Sequence, residues 1–301
     1  QNEWVDSVYA SLSFEERIAQ LIIAGAYPKN EEADRKKISE YIKKYNIGGV
    51  MYFRTYPTYQ AQLTNHYQSI AKTPLMIALD AEYGLAMRLD SVMGFPNQMT
   101  LGAMQTNKPV YEMGKEIGRQ CQRMGVHVNF APVVDINSNP ENPVINTRSF
   151  GENRKNVAQK AYAYFTGLQE MNVLAVAKHF PRHGDTDTDS HYDLPVVPHP
   201  WERLDTVELP PFRAAIDAGV GAIMSAHVHF PAFDTTPDLP STLSPRVMTS
   251  LLRDSLHFSG LIITDAMDMQ GVTRHFDVGE AAIRALEAGN DILELSPDIP
   301  L

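Results

Sequence analysis

Val173-Leu174-Ala175-Val176-Ala177, followed at once by KHFPRHGDTDTDSH over residues 178–191, is the stretch on which the fold of this chain turns. The first five residues are small or branched and show no polar alternation, the pattern of a short strand covered on both faces, as in a parallel sheet. The polar run then carries Lys178, the histidines His179, His183 and His191, and the aspartates Asp185, Asp187 and Asp189 away from the strand's carboxyl end. That end is where α/β proteins place their chemistry. A solvated Asp/Thr loop whose histidines merely satisfy nearby backbone groups has the same local composition, so the rest of the chain decides.

The same unit recurs on both sides. Apolar runs at 20–25, 49–53, 75–79, 126–130, 222–226, 261–264 and 292–295 read as further strands. Segments near 31–45, 57–71, 109–124, 153–171, 202–218, 245–257 and 279–288 read as the helices between them. Ser13 and Glu16 have the spacing of a capping box, which predicts a short helix leading into the first strand. Strands and helices alternating in this number predict an α/β fold, a (β/α)8 TIM-type barrel, over an open doubly wound sheet. Polar residues decide between the two. Asp80 closes the third strand, Asp135 lies just past the fourth, Lys178 and His179 follow the fifth, His227 closes the sixth and Asp265 the seventh. An open sheet gathers its chemistry at one switch point, whereas a closed barrel makes the ends of many consecutive strands converge. Because the chain stops at Leu301, soon after the eighth strand, the expectation is one barrel domain over 1–301, truncated at its C-terminal end and lacking the last covering helix.

With 301 residues and 44% hydrophobic content the chain can bury a large core. No apolar run approaches the ~20 residues that span a bilayer. A formal net charge of −10 argues against nucleic acid or an anionic membrane surface as partner. Cys121 is the only cysteine, which rules out an internal disulfide and a Cys-based metal site. The chain opens on Gln1 rather than Met, from which we expect a bacterial protein that is exported or periplasmic, with cytoplasmic residence as the alternative.

Seven short motifs stand in order: Leu79-Asp80-Ala81-Glu82 with Arg88-Leu89; Phe95-Pro96 with Leu101-Gly102-Ala103; Asn129-Phe130-Ala131-Pro132-Val133-Val134-Asp135; Arg148-Ser149-Phe150-Gly151; Lys178-His179-Phe180-Pro181; Asp189-Ser190-His191; and Ile263-Thr264-Asp265-Ala266-Met267. As an ordered set they make the chain resemble the family 3 glycoside hydrolases, and within them the bacterial β-N-acetylglucosaminidases (β-hexosaminidases) acting on peptidoglycan fragments. The resemblance implies a retaining exo-enzyme for terminal β-N-acetylglucosaminides, with Asp265 as nucleophile and His191, held by Asp189, as acid/base. It assigns sugar recognition to Asp80, Arg88, Arg148, Lys178 and His179. It implies a small N-acetylglucosamine-containing substrate, no cofactor and no metal. Elementary chemistry agrees. A carboxylate fixed at a strand end beside cations stays ionised and nucleophilic, and a histidine with an ordinary pKa near 6.5 both gives and takes a proton near neutrality.

Other roles stay open at this level. Arg88 and Arg148 also suit structural ion pairs, and Asp135 suits a brace for Lys178 or Arg148. His227 and His229 suit packed, hydrogen-bonded positions, and Asp187 shares the loop of His191. The Thr and Asp content of that loop predicts motion and a dyad assembled on substrate binding. Two residues depart from the family pattern: Arg182 replaces a glycine of the Lys-His-Phe-Pro-Gly-His-Gly stretch, and Tyr83 one glycine of Asp-x-Glu-Gly-Gly. Where such a glycine has φ > 0 a side chain is strained, so the loop carrying His191 is expected to run differently. The competing functions are another β-glycosidase of the same family, a metal-dependent amidohydrolase using His227, His229, His179, Lys178 and Asp265, and a non-catalytic saccharide-binding barrel. Amidohydrolases carry His-x-His on their first strand, whereas Gly25-Ala26-Tyr27 ends the first strand here.

Overall fold

The computed structural model describes residues 3–27 and 31–295. Eight parallel strands, β1 (Ile22–Ala26), β2 (Gly49–Tyr52), β3 (Met76–Leu79), β4 (Val128–Asn129), β5 (Leu174–Phe180), β6 (Ala222–Ser225), β7 (Leu261–Thr264) and β8 (Leu293–Glu294), pair in the order β7-β6-β5-β4-β3-β2-β1-β8. A parallel bridge between Ile263 and Ile292, with Thr264 N–H donating to the Ile292 carbonyl at 2.9 Å, joins the two edges. The sheet therefore wraps into a nearly closed barrel, as the polar strand ends predicted. The segment after Leu295, on which the expectation of a missing last helix rests, lies outside the described residues.

Two apolar layers follow from the pleat, because successive side chains of a strand face opposite sides. One buried cluster holds Ile23, Met51, Ala78, Val128, Val176, Met224, Ile263 and Ile292 and fills the barrel. The residues next to them, Ile22, Ala24, Val50, Ile77, Ala175, Ala177, Ile223 and Ile262, belong to a second cluster that packs outward under the helices. One step further along β3, β5, β7 and β8 the inward positions pass to Asp80, Lys178, Asp265 and Glu294. The apolar floor thus ends where the polar mouth begins.

The predicted helices are present with shifted ends. Ser13 caps Phe14–Ala19 as a full capping box, its Oγ accepting from Glu16 N–H at 3.2 Å and its own N–H donating to Glu16 Oε2 at 2.9 Å. The 202–218 segment is broken into Trp201–Arg203, a π-helical turn Leu204–Glu208 and Leu209–Asp217. Residues Arg246–Ser255 are π-helical throughout. β5 runs three residues beyond the predicted 173–177, so Lys178 and His179 sit within the strand.

Candidate active site

The inward residues at the carboxyl ends of the strands line a cavity of about 270 Å³. On one side ions are locked together. Lys178 Nζ donates to Asp80 Oδ1 at 2.8 Å and lies 2.9 Å from Glu82 Oε1. Arg88 donates to Asp80 Oδ2, and Arg148 grips Glu82 through Nε at 3.0 Å and Nη2 at 2.7 Å. Burial by itself raises both carboxyls, but Lys178 and Arg88 outweigh it and hold Asp80 well below the carboxylate range. Arg148 and Lys178 likewise bring Glu82 down to about 2. Arg88 and Arg148 are therefore ion-paired and line the cavity as well.

Asp135 braces neither Lys178 nor Arg148. Its Oδ2 accepts from His179 Nδ1 at 2.7 Å and from His179 N–H at 3.0 Å, and its Oδ1 accepts from His183 N–H at 2.6 Å. The cause is local: the segment after β4 runs beside β5, with a bridge between Val133 and Lys178, and this brings the backbone N–H groups of His179 and His183 to Asp135. Asp135 only accepts and Arg148 Nη2, 3.3 Å from His179 Nε2, only donates, so the Asp135 contact holds a hydrogen on Nδ1.

Asp265 is half-buried at the end of β7, with its N–H donating to the Ser225 carbonyl at 3.0 Å and its Oδ1 accepting from Ala266 N–H at 2.8 Å. Burial raises its pKa, but His179, His227, the Ala266 N–H and Lys178 together lower it below the ordinary value. It is an ionised carboxylate facing the cavity. His191 lines the rim of the cavity, its side chain 59% exposed, with Nδ1 2.7 Å from Asp189 Oδ1. The same Asp189 oxygen accepts from His191 N–H at 2.9 Å. The Asp189–His191 contact is thus made within the folded loop. Asp189, which only accepts, holds a hydrogen on Nδ1.

His227 and His229 are packed. The His227 ring nitrogens meet Thr242 Oγ1 at 2.9 Å and the Ala266 carbonyl at 3.0 Å, and His229 Nε2 meets the Asp234 carbonyl at 3.2 Å. Among the described residues no group of three or more His, Cys, Asp or Glu side chains is arranged to hold a metal ion.

With this geometry in view, the model of the "Glycosyl hydrolase family 3 N terminal domain" matches residues 13–299. The chain belongs to this family. It is 39% identical over 279 residues to β-hexosaminidase A of Pseudoalteromonas piscicida, covering 85% of this chain and 47% of that protein. It is 32% identical over 277 residues to a β-hexosaminidase of Nitrosomonas eutropha, covering 89% and 77%. A solved family 3 β-N-acetylglucosaminidase from Paenibacillus sp. str. FPU-7 superposes with a TM-score of 0.89 at 41% identity, over 94% of this chain and 55% of that one. The chain spans about half the length of the first and last of these.

Within the family 3 barrel, the two departures from the glycine pattern are accommodated without strain. Neither Tyr83 nor Arg182 has a positive φ, and the left-handed position falls on Gly84, at φ 91°. The expected distortion of the loop therefore has no backbone origin. Arg182 is instead buried, paired with Glu208 and with Asp185 Oδ2 at 3.0 Å, and donates to Ser138 Oγ at 2.9 Å. Its neighbour Gly184 passes so close to β4's extension that a Cβ there would lie 1.9 Å from the Ile136 carbonyl oxygen. The first half of the loop is stitched down, and Asn142 Nδ2 completes the seam by donating to the carbonyls of His183 at 2.8 Å and Thr186 at 2.9 Å.

Three residues at the site carry no role in the sequence reading. Glu82, quoted only as part of a motif, is the anchor of Arg148 and Lys178. His183 joins Thr186 Oγ1 and Ser190 Oγ, each at 2.8 Å, and so holds the residue before His191. Burial brings its pKa down to about 4, so it does this as a neutral ring. Glu294, 3% exposed, lines the cavity from β8. A signal existed for Glu294: in Ile292-Leu293-Glu294 it has the inward parity of Ile292, a charged residue where the barrel interior calls for an apolar one.

Proposed function

We propose that this chain is the catalytic barrel of a retaining exo-β-N-acetylglucosaminidase that hydrolyses terminal β-N-acetylglucosaminides such as peptidoglycan fragments. The observation that carries the reading is the ionised Asp265 at the inward end of β7, facing one small cavity together with Asp80, Arg88, Arg148, Lys178 and His191. Asp80 accepts from sugar hydroxyls, and Arg88, Arg148 and Lys178 use their remaining N–H groups on hydroxyls and on the acetamido carbonyl. Asp265 attacks the anomeric carbon while His191 Nε2 gives its proton to the departing oxygen. Asp189 steadies the imidazolium from which that proton leaves. A covalent glycosyl-enzyme results. Water then attacks it, His191 Nε2 takes the water's proton, and two inversions return the starting configuration.

Turnover of a chromogenic N-acetylglucosaminide tests this reading, with the matching glucoside as comparison and exhaustive chelation as control. Preference for the glucoside would assign the chain to another β-glycosidase activity. Loss of activity on chelation would revive the metal-dependent alternative, and absence of turnover with retained sugar binding would make it a binding barrel. A slow substrate with a good leaving group should label Asp265, and a label on any other residue would refute its assignment.

A further inference from the structure

Carboxyl groups outnumber cations around the cavity. Lys178 lies between Asp80 and Glu82, Arg88 is engaged with Asp80 and Arg148 with Glu82. Asp265 has the Ala266 N–H and the nearby His179. Glu294 is left over. Among the described residues its Oε2 has no hydrogen-bond partner, although the side chain is almost fully buried and lines the cavity. Its backbone is clamped on both sides, with its N–H donating to Thr264 Oγ1 at 2.9 Å and its carbonyl accepting from Met267 N–H at 2.9 Å. Strand pairing to β1 through Ile23 fixes it further. The side chain is thus aimed inward by a rigid element, one pleat above Ile292, with a polar atom that nothing among the described residues satisfies. Buried polar atoms are nearly always paired, and one facing a cavity finds its partner in what enters that cavity.

We propose that Glu294 is a further substrate-contacting, specificity-determining residue, its carboxyl hydrogen-bonding a hydroxyl of the sugar ring on the β8 side of the cavity. This rests on the cavity being a sugar site. The groups facing Glu294 are Tyr27 from the end of β1, Asp80 and Arg88 from β3 and the turn after it, Lys178 from β5 and Asp265 from β7. Burial and the ionised Asp80 and Asp265 push the carboxyl well above its ordinary pKa, and Lys178 and Arg88, already engaged by Asp80, offset only part of that. That direction favours its protonated form, which donates as well as accepts. That complements Asp80, which is ionised and accepts only. A ring held by both donates hydroxyl hydrogen bonds to Asp80 and accepts one at a hydroxyl oxygen from Glu294.

Steady-state kinetics of the full chain on a chromogenic N-acetylglucosaminide, across pH and with melting temperatures in parallel, test the proposal. Glu294→Leu should raise KM about 2- to 10-fold, the loss of one uncharged hydrogen bond, with kcat changed less. Glu294→Gln keeps a neutral donor and acceptor and should hold KM near wild type at neutral pH. Wild-type KM should climb as rising pH ionises Glu294 beside Asp80 and Asp265, and this climb should be absent in Glu294→Gln. An unchanged KM in Glu294→Leu, or the same climb retained in Glu294→Gln, overturns the role of Glu294 while leaving the sugar site standing. A wild type that neither turns over nor binds N-acetylglucosamine overturns the sugar site and this proposal together.

Discussion

The two sides of the cavity hold their charged groups by opposite means. On the Asp80 side Asp80, Glu82, Arg88, Arg148 and Lys178 are each locked to an opposite charge, with Lys178 and Glu82 almost wholly buried. On the His191 side the dyad rides a loop that is pinned by hydrogen bonds behind it and is open to solvent in front. The difference suits the proposed reaction, in which a sugar ring is met by fixed charges and the acid/base group exchanges a proton with an aglycone that leaves and a water that arrives. His183 and Arg182 are the hinge between the two: His183 ties Ser190, and so His191, to the buried seam, and Arg182 holds that seam to the Leu204–Glu208 turn.

Asp265→Ala should have the largest effect. Losing the nucleophile removes a large part of the ~8–23 kcal/mol by which enzymes lower barriers. Turnover should fall by several orders of magnitude while calorimetric binding of N-acetylglucosamine and the melting temperature stay close to wild type.

His191→Ala should separate the two sides by leaving group. Removing a general acid costs about 10²- to 10⁴-fold where the leaving oxygen needs a proton. Alkyl or saccharide aglycones should show that loss, and nitrophenyl glycosides far less. A neutral histidine also spares an incoming anion the repulsion, about 1–4 kcal/mol at 4 Å, that an ionised carboxylate would impose. Azide or phosphate added to the wild type should give the glycosyl azide or phosphate of retained configuration, and azide should do so in His191→Ala. Equal loss on all leaving groups would show that His191 only shapes the loop.

Glu82→Gln attacks the buried side through its anchor. Stranding Arg148, and leaving Lys178 with Asp80 alone, should cost ~3–5 kcal/mol of stability, read by denaturant titration. The pH dependence gives the sign. Glu82 is depressed from 4.5 to about 2, so its contribution is present above pH 4.5 and lost as pH falls toward 2. The wild type should show that acid loss, and the variant should have a shallower one.

Arg182→Gly restores the family residue and removes the cation between Glu208 and Asp185. The melting temperature should drop, with kcat/KM changing only a few-fold because His183 still holds Ser190. A drop in turnover as large as that of His191→Ala would mean the seam, and not the His183 contact, positions the dyad. The smallest effect is expected from Asp187→Asn. Asp187 accepts from the hydroxyl of its neighbour Thr188 and does not line the cavity, so turnover should stay within about 2-fold of wild type on every leaving group. A leaving-group-dependent loss there would move the acid role to Asp187.

The barrel was legible from the chain alone because its signals are local and repeated. Apolar runs of strand length alternate with helical periodicity, and polar residues recur at the strand ends. A parallel sheet must bury both faces, so Val173-Leu174-Ala175-Val176-Ala177 has few other readings. The residues at the mouth were legible too, since Asp80, Lys178 and Asp265 immediately follow buried strands. Partnership was not legible. Whether Asp135 holds Lys178 or His179, whether Arg182 strains a loop or pins it, and whether Glu294 points at helices or at the cavity depend on how strands far apart in sequence are set around one axis. Hydrogen bonds and ion pairs act over about 3 Å, and only the closed barrel brings positions as distant as Asp80 and Lys178, or Asp135 and His179, within that range.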